Sequence, residues 1–288
     1  MHAVKKKRRI LASVFSWLFI LAGIGCTAYP LISSVMEQRA QKSVLSTYQS
    51  LLEQESEPDR IEAVLKEARE YNSTLFQSLN AYVGGADARF WSDENYFSQL
   101  NVSANSAVMG SLQIPKISVD LPIYHGTSEE VLSHGAGHYK GSSLPVGGNN
   151  TRAVLTAHRG LPNAKLFTRL DEMEKGDLFF VRVGHEKLAY RIFDIQTILP
   201  EEAEKITIES GKDQISLVTC TPYGINTHRL VVTGGRIPYE EKEEIQESTK
   251  SSRSLRELFF LVLPFVLLSV AVAWGVISWI CRRKENRR

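Results

Sequence analysis

The chain of 288 residues carries a formal net charge of +2, with its basic residues concentrated at the two ends and a nearly neutral middle. No basic stripe of the kind that binds nucleic acid is present, so nucleic acid is not an expected partner. Hydrophobic residues make up 43% of the chain, and the longest apolar runs stand near its ends.

Two apolar segments predict membrane spans. The first covers residues 10–32 and follows the basic run Lys5–Arg9, whereas the second covers residues 258–280 and precedes further basic residues. Each is long enough to cross a hydrocarbon layer of about 30 Å as a helix. By the positive-inside rule, the tails 1–9 and 281–288 are cytoplasmic and the body between the spans is extracellular. A cleaved signal peptide is the alternative for the first segment, but its apolar run is long and no clean small-x-small site occurs.

Residues 33–107 are predicted to be helical at first and irregular later. A polar helical stretch from Met36 to about Leu52 is followed by Pro58 to about Leu79, where apolar residues recur every three or four positions. This spacing predicts an amphipathic helix packed on the side of a domain. Residues 86–106 have no periodic face, so we expect their aromatic residues to lie over a groove. These aromatics are Phe90, Trp91, Tyr96 and Phe97.

Residues 108–238 show a β pattern of short apolar or alternating runs separated by Gly, Pro and Asn clusters. Such runs favour an antiparallel barrel or sandwich, and about 130 residues are enough to bury one core. The charged residues 239–257 are predicted to be a linker to the second span. The predicted strands are Leu112–Ile114, Val119–Ile123, Ala153–Ala157, Leu178–Val183, Leu188–Ile198, Ile215–Thr219 and Leu230–Thr233.

The ends of two of these strands carry a thiol and a cation. Cys220 ends one strand and Arg229 begins the next, so antiparallel pairing would bring them within about 5 Å. A free thiol beside a cation is how proteins make a thiolate nucleophile at neutral pH. Cys26 and Cys281 are predicted at opposite membrane faces, which leaves Cys220 unpaired and therefore either buried and inert or reactive. Spacing alone does not place His158 beside them.

The segment Thr219–Leu230, TCTPYGINTHRL, resembles the active-site signature of sortases, specifically of the pilin-polymerising class C group. Thr156–Pro162, TAHRGLP, resembles the histidine motif of the same family. The resemblance extends over about residues 108–237 and implies a mainly β fold, an eight-stranded sortase-like barrel with N-terminal helices between two transmembrane helices. Further matching stretches are Ile114–Ile117, Pro122–Thr127, Gly137–His138 and Ser142–Gly148.

The resemblance implies a role for each of three residues: Cys220 is the nucleophile, His158 the general acid and base, and Arg229 the cation that stabilises the oxyanion. It also implies a membrane-anchored cysteine transpeptidase of Gram-positive cells that needs no cofactor or metal. Such an enzyme cuts a Leu-Pro-any-Thr-Gly-like sorting signal after Thr and joins the thioacyl product to a lysine of another pilin. Its partners are pilins or surface proteins with C-terminal sorting signals.

Two other functions are open. An anchoring sortase would use a cell-wall precursor as the acceptor, and the second predicted span argues against it. A silent membrane scaffold would only bind sorting signals, and the presence of Cys220, His158 and Arg229 together disfavours it.

Each site residue has a structural alternative. His158 can cap a strand, and His228 can replace Arg229 in the site, although strand alternation sends these two neighbours to opposite faces. His134 and His138 are spaced as metal ligands would be on a helix. The glycines between them oppose such a helix.

The resemblance fails at one point, the lid. Many class C sortases plug the active site with an Asp-Pro-aromatic triplet, but no proline occurs here between Pro58 and Pro115. Trp91 and Asp93 stand in the corresponding region and are the lid candidates.

Overall fold

The structure is a computed structural model that describes residues 2–54, 58–80, 88–101, 107–249 and 255–285. They form two compact units, Met1–Met36 with Arg253–Arg288, and Glu37–Ser252. The helices are α1 (His2–Gln54), α2 (Pro58–Asn80), α3 (Asp93–Ser98), α4 (Glu129–His134), α5 (Glu241–Thr249) and α6 (Leu255–Glu285). The strands are β1 (Val108–Ile114), β2 (Val119–His125), β3 (Ala136–His138), β4 (Thr151–Thr156), β5 (Leu178–Val183), β6 (Glu186–Ile198), β7 (Asp213–Thr221) and β8 (His228–Ile237).

The first unit holds the apolar helices. Within the described residues one helix is long and apolar enough to cross a membrane, Trp17–Gln54 of α1, with a mean hydropathy of 1.8. The apolar part of α6 is shorter, Val262–Ile277. A membrane-spanning helix near the start of the chain therefore fits the structure by length and composition, and the second span stays a prediction.

The eight strands close into a barrel in the order β1-β2-β3-β4-β7-β8-β6-β5. The predicted eight-stranded barrel is confirmed. The expectation that it is antiparallel throughout is wrong, because β2 pairs parallel with β3 and β4 pairs parallel with β7. Parallel neighbours need crossover connections, and the first pair uses α4 for this purpose. Sequence analysis missed β3 because it has only three residues.

The two strands nearest the predicted site are buried up to their ends. Residues Gln214–Thr219 of β7 are buried, and burial becomes partial at Cys220 and Thr221. β4 is likewise buried except for its last residue, Thr156. Both apolar strands therefore emerge from the core just where the reactive side chains begin.

The predicted amphipathic helix is α2, and its apolar face packs against the barrel core through Ile61, Leu65 and Leu75. Asn72 adds a polar contact, accepting from Leu144 N at 2.7 Å and donating to Leu144 O at 3.0 Å. Burying an amide with both bonds made avoids the cost of an unpaired polar group.

Two regions predicted without regular structure contain helices. In the segment predicted as irregular, α3 begins after Ser92, whose hydroxyl accepts from Asn95 N as an N-cap. The residues predicted as a charged linker contain α5, whose Glu244 pairs with Lys187 of β6 at 3.0 Å. The predicted helix break at residues 82–85 and residues 102–106 lie outside the described residues.

Candidate active site

Cys220 and Arg229 are directly opposed in the antiparallel β7–β8 pair, and Thr221 opposes His228 in the next position. The predicted hairpin is therefore confirmed. Cys220 and Arg229 are both partly buried, at the rim where the two strands leave the core. The residues between them, from Pro222 to Thr227, are exposed.

The loop after β4 brings His158 to the same rim. Ala157 N donates to Val218 O at 3.3 Å, which extends the β4–β7 contact by one residue, and Thr219 Oγ1 donates to Ala157 O at 2.8 Å. On the far side of His158, Phe167 N donates to the carbonyl of His158 at 3.1 Å. The backbone before the imidazole is thus fixed relative to β7, and the carbonyl of His158 is fixed to the loop at Phe167.

The imidazole of His158 has a carboxylate partner. Nε2 lies 3.1 Å from Glu129 Oε1 at the start of α4, and the side chains are 25% and 80% exposed, respectively. Among the described residues, no hydrogen bond joins His158 to Cys220. Glu129, rather than Cys220, is the hydrogen-bond partner of the ring in this structure.

The guanidinium of Arg229 is oriented by backbone carbonyls. Nη1 donates to Asn226 O at 3.2 Å and to His228 O at 3.1 Å. The neighbouring His228 bonds instead to Thr227 Oγ1 through Nδ1, at 2.9 Å. Arg229 is thus the cation that lies opposite Cys220 in the strand register.

Arg159 is a buried part of the site whose role the sequence did not reveal. Its side chain is 7% exposed and donates from Nη1 to Thr221 Oγ1 at 2.9 Å, while Nη2 lies 2.6 Å from Asp171 Oδ2. The signal was present in the histidine motif, where Arg follows His and precedes Gly160. That glycine has φ +87° and a side chain there would meet the Tyr223 ring at 2.8 Å, so no other residue fits.

The lid candidates contact residues outside the candidate site. Asp93 pairs with Lys140 at 2.5 Å, and Trp91 packs edge-on against Phe90 while remaining 40% exposed. Within the described residues, no hydrogen bond or ion pair connects either one to Cys220.

The aromatic segment is anchored by Tyr96 rather than by Trp91. The buried Tyr96 hydroxyl lies 2.9 Å from His138 Nδ1 and accepts from Gly126 N at 2.9 Å. Burial raises the pKa of Tyr96 and lowers the pKa of His138 to about 4, so the ring of His138 is neutral at physiological pH. A neutral ring suits its bonds, because Nε2 can donate to Ser143 O at 2.8 Å while Nδ1 accepts.

The two histidines considered as metal ligands have other partners. His138 is buried and uses both ring nitrogens as described above, whereas His134 ends α4 and lies 3.2 Å from Glu37. Among the described residues, no group of three or more His, Cys, Asp or Glu side chains is arranged to hold a metal ion.

Comparison with known proteins identifies the family of this chain. A family model for the sortase domain matches residues 112–237. Sortase C of Streptococcus pneumoniae, whose crystal structure bears on catalysis and pilin substrate specificity, is 40% identical. The match covers 68% of this chain and 97% of that one, with a TM-score of 0.58. The chain belongs to the sortase family.

The similar proteins include sortases named C and D. The X-ray structure of sortase C from Clostridium perfringens with the C-terminal cell wall sorting motif is 38% identical, covering 68% of this sortase and 99% of that chain, with a TM-score of 0.57. Sortase D of Bacillus subtilis is 34% identical over 131 residues, which is 44% of this chain. The match spans 63% of the length of that curated relative.

Proposed function

We propose that this sortase is a membrane-anchored cysteine transpeptidase of the class C type, which joins pilin subunits through lysine isopeptide bonds. The observation that carries the proposal is the opposition of Cys220 and Arg229 across one strand pair, with the loop of His158 bonded to the same strand. A nucleophile, an oxyanion donor and a titratable base at one rim make up the machinery of acyl transfer.

In the first half-reaction, the thiolate of Cys220 attacks the carbonyl carbon of Thr in the sorting signal. The carbonyl electron pair moves to oxygen, where the Arg229 guanidinium stabilises the charge. The tetrahedral intermediate collapses, the Thr–Gly C–N bond breaks, and protonated His158 gives its proton to the leaving amine. The product is a thioacyl enzyme.

In the second half-reaction, a lysine amine of another pilin attacks the thioacyl carbon. Its proton passes to His158, and Cys220 leaves as a thiolate, so one peptide bond is exchanged for one isopeptide bond. No oxidant, reductant or metal is needed for this balance. The acceptor is proposed to be a pilin lysine because sortases C are among the similar structures and one of these bears on pilin substrate specificity.

The proposed topology follows the two apolar segments. The catalytic unit lies outside the cell, both tails are cytoplasmic, and the first span anchors the enzyme near its membrane-bound substrates. Within the catalytic unit, the segment around Trp91 and Asp93 is proposed to be an altered lid.

Product analysis tests the proposal and separates the candidate acceptors. The purified extracellular body is incubated with a pilin bearing a sorting signal, with either a second pilin or a cell-wall precursor analogue, and the products are sequenced by mass spectrometry. We expect a thioacyl adduct on Cys220 and a Thr–lysine isopeptide. Transfer to the precursor alone would identify an anchoring sortase, and absence of any adduct despite thiol labelling of Cys220 would reject both.

A further inference from the structure

The residues that flank the catalytic cysteine are hydrogen-bonded to those that flank the catalytic histidine. Thr219 Oγ1 donates to Ala157 O at 2.8 Å, and Arg159 Nη1 donates to Thr221 Oγ1 at 2.9 Å. The two bonds therefore involve residues on either side of Cys220 and on either side of His158. Because no hydrogen bond joins the side chains of Cys220 and His158 among the described residues, the distance between them depends on these flanking contacts.

Of the two bonds, the one that Arg159 donates comes from a buried side chain that is itself held by a second contact. The side chain is 7% exposed, and its second arm ends 2.6 Å from Asp171 in the short 3-10 turn Leu170–Glu172. A planar guanidinium can hold a hydroxyl and a carboxylate in a fixed relative geometry, which a lysine ammonium cannot do. The contact with Asp171 thus fixes the direction in which the other arm reaches Thr221.

Arg159 Nε is buried and has no hydrogen-bond partner among the described residues. Leaving this donor unpaired costs free energy, and the contacts of the two terminal nitrogens with Thr221 and Asp171 offset that cost. The bond to Thr221 joins two residues that each follow a reactive one: Arg159 follows His158, and Thr221 follows Cys220.

We propose that Arg159 is a positioning residue that sets the distance between the His158 imidazole and the Cys220 thiol by tying Thr221 to Asp171. The inference rests on the proposed function only in requiring that these two groups act together. A misplacement of about 1 Å between reacting groups can lower a rate about a hundredfold. Arg159 therefore affects the chemical step rather than the binding of the sorting signal.

The test compares Arg159→Lys, which keeps the positive charge but not the fork, with Thr221→Val and Thr221→Ser. Arg159→Lys and Thr221→Val should each lower kcat about tenfold or more and leave KM within about twofold. Thr221→Ser keeps the hydroxyl and should restore most of the wild-type rate. Because both losses arise from one bond, the double variant should lose little more than either single one.

Arg152→Lys is the matched control. Arg152 is also a buried arginine, and it donates to Ser216 Oγ of β7 at 2.9 Å and to Thr233 Oγ1 of β8 at 3.2 Å, away from the rim. Its substitution should lower the urea midpoint without changing kcat. If Arg152→Lys and Arg159→Lys lower kcat equally at matched losses of stability, Arg159 is merely structural and the proposal fails.

A readout without substrate keeps this inference separate from the proposed function. The rate at which a small reagent alkylates Cys220 is measured at one fixed pH in each folded variant. Displacing the thiol from the imidazole should slow alkylation in Arg159→Lys and Thr221→Val, but not in Thr221→Ser or Arg152→Lys. An unchanged rate in Arg159→Lys overturns the inference, whether or not the wild-type protein joins pilins.

Discussion

Cys220 faces Arg229 directly across the β7–β8 pair, and both residues stand where the two strands leave the core. This opposition follows from the pairing of two consecutive strands and places a thiol and a guanidinium at one rim. The β7–β8 hairpin therefore carries two of the three candidate catalytic residues. The loop after β4 brings His158 to the same rim.

Replacement of the nucleophile should separate chemistry from folding. Cys220→Ala should abolish thioacyl formation and transfer, because no other side chain at the rim can form a thioester. The urea midpoint should change little, since Cys220 is a free and only partly buried residue. Cys26→Ala, which changes the free cysteine in α1, is the control and should retain activity. A thioacyl adduct in the Cys220→Ala protein would end the hypothesis.

Arg229→Lys should lower turnover by roughly a hundredfold, the loss typical of one oxyanion donor. The lysine ammonium lacks the planar set of donors of the guanidinium. In Arg229 this group is held in place through Nη1 by the carbonyls of Asn226 and His228. KM should change far less than kcat. His228→Gln is the control and should stay within a few-fold of wild type; the reverse ranking of the two variants would assign the site to His228.

Glu129→Gln should lower kcat by at most about fivefold, because an exposed ion pair contributes about 0–1 kcal/mol. Glu129 is 80% exposed and 3.1 Å from His158, so the effect should shrink as salt is raised and the pair is screened. Glu130→Gln changes the adjacent carboxylate of the same helix and should leave kcat unaltered. Equal effects of the two variants would indicate general surface charge instead of a specific contact.

The buried His138 should make the unfolding free energy depend on pH. Burial lowers its pKa from 6.5 to about 4, so between these values the unfolded chain binds more protons than the folded protein. The contribution of His138 to the free energy of unfolding is therefore fully present above about pH 6.5. It decreases as the pH falls towards 4, by about 3 kcal/mol in total. Urea unfolding at pH 7 and pH 4.5 measures the loss, and His138→Gln should reduce the difference between the two pH values. An undiminished difference in that variant would assign the effect to other groups.

Trp91→Ala should speed the modification of Cys220 by a small thiol reagent if the aromatic segment covers the approach to the site. Because Trp91 is 40% exposed, the variant should lose little thermal stability, whereas a core tryptophan would cost about 3 kcal/mol or more. The labelling rate and the melting temperature decide between these two roles. An unchanged labelling rate with a large drop in melting temperature would reject the lid.

The helices and strands whose position the sequence predicts correctly are those with a sustained hydrophobic pattern. The three-and-four spacing after Pro58 predicted α2, and alternating or apolar runs predicted β5 and the core of β7. The three-residue β3 and the six-residue α3 are too short to show a period, and their formation depends on neighbours. The parallel pairing of β4 with β7 was missed because strand order is a property of the closed barrel.

By itself, the sequence determined which residue types are available for chemistry. The apolar runs around Cys220 and Arg229 place a thiol and a cation at adjacent strand ends, and the motif resemblance adds His158. Only the tertiary structure decided what surrounds them. Glu129 beside the imidazole and Arg159 bonded to Thr221 are contacts between residues 29 and 62 positions apart. Tyr96, which holds the aromatic segment on His138, is a third such contact. Local propensity does not encode these pairings, because they arise when closure of the barrel brings distant strands and loops into contact.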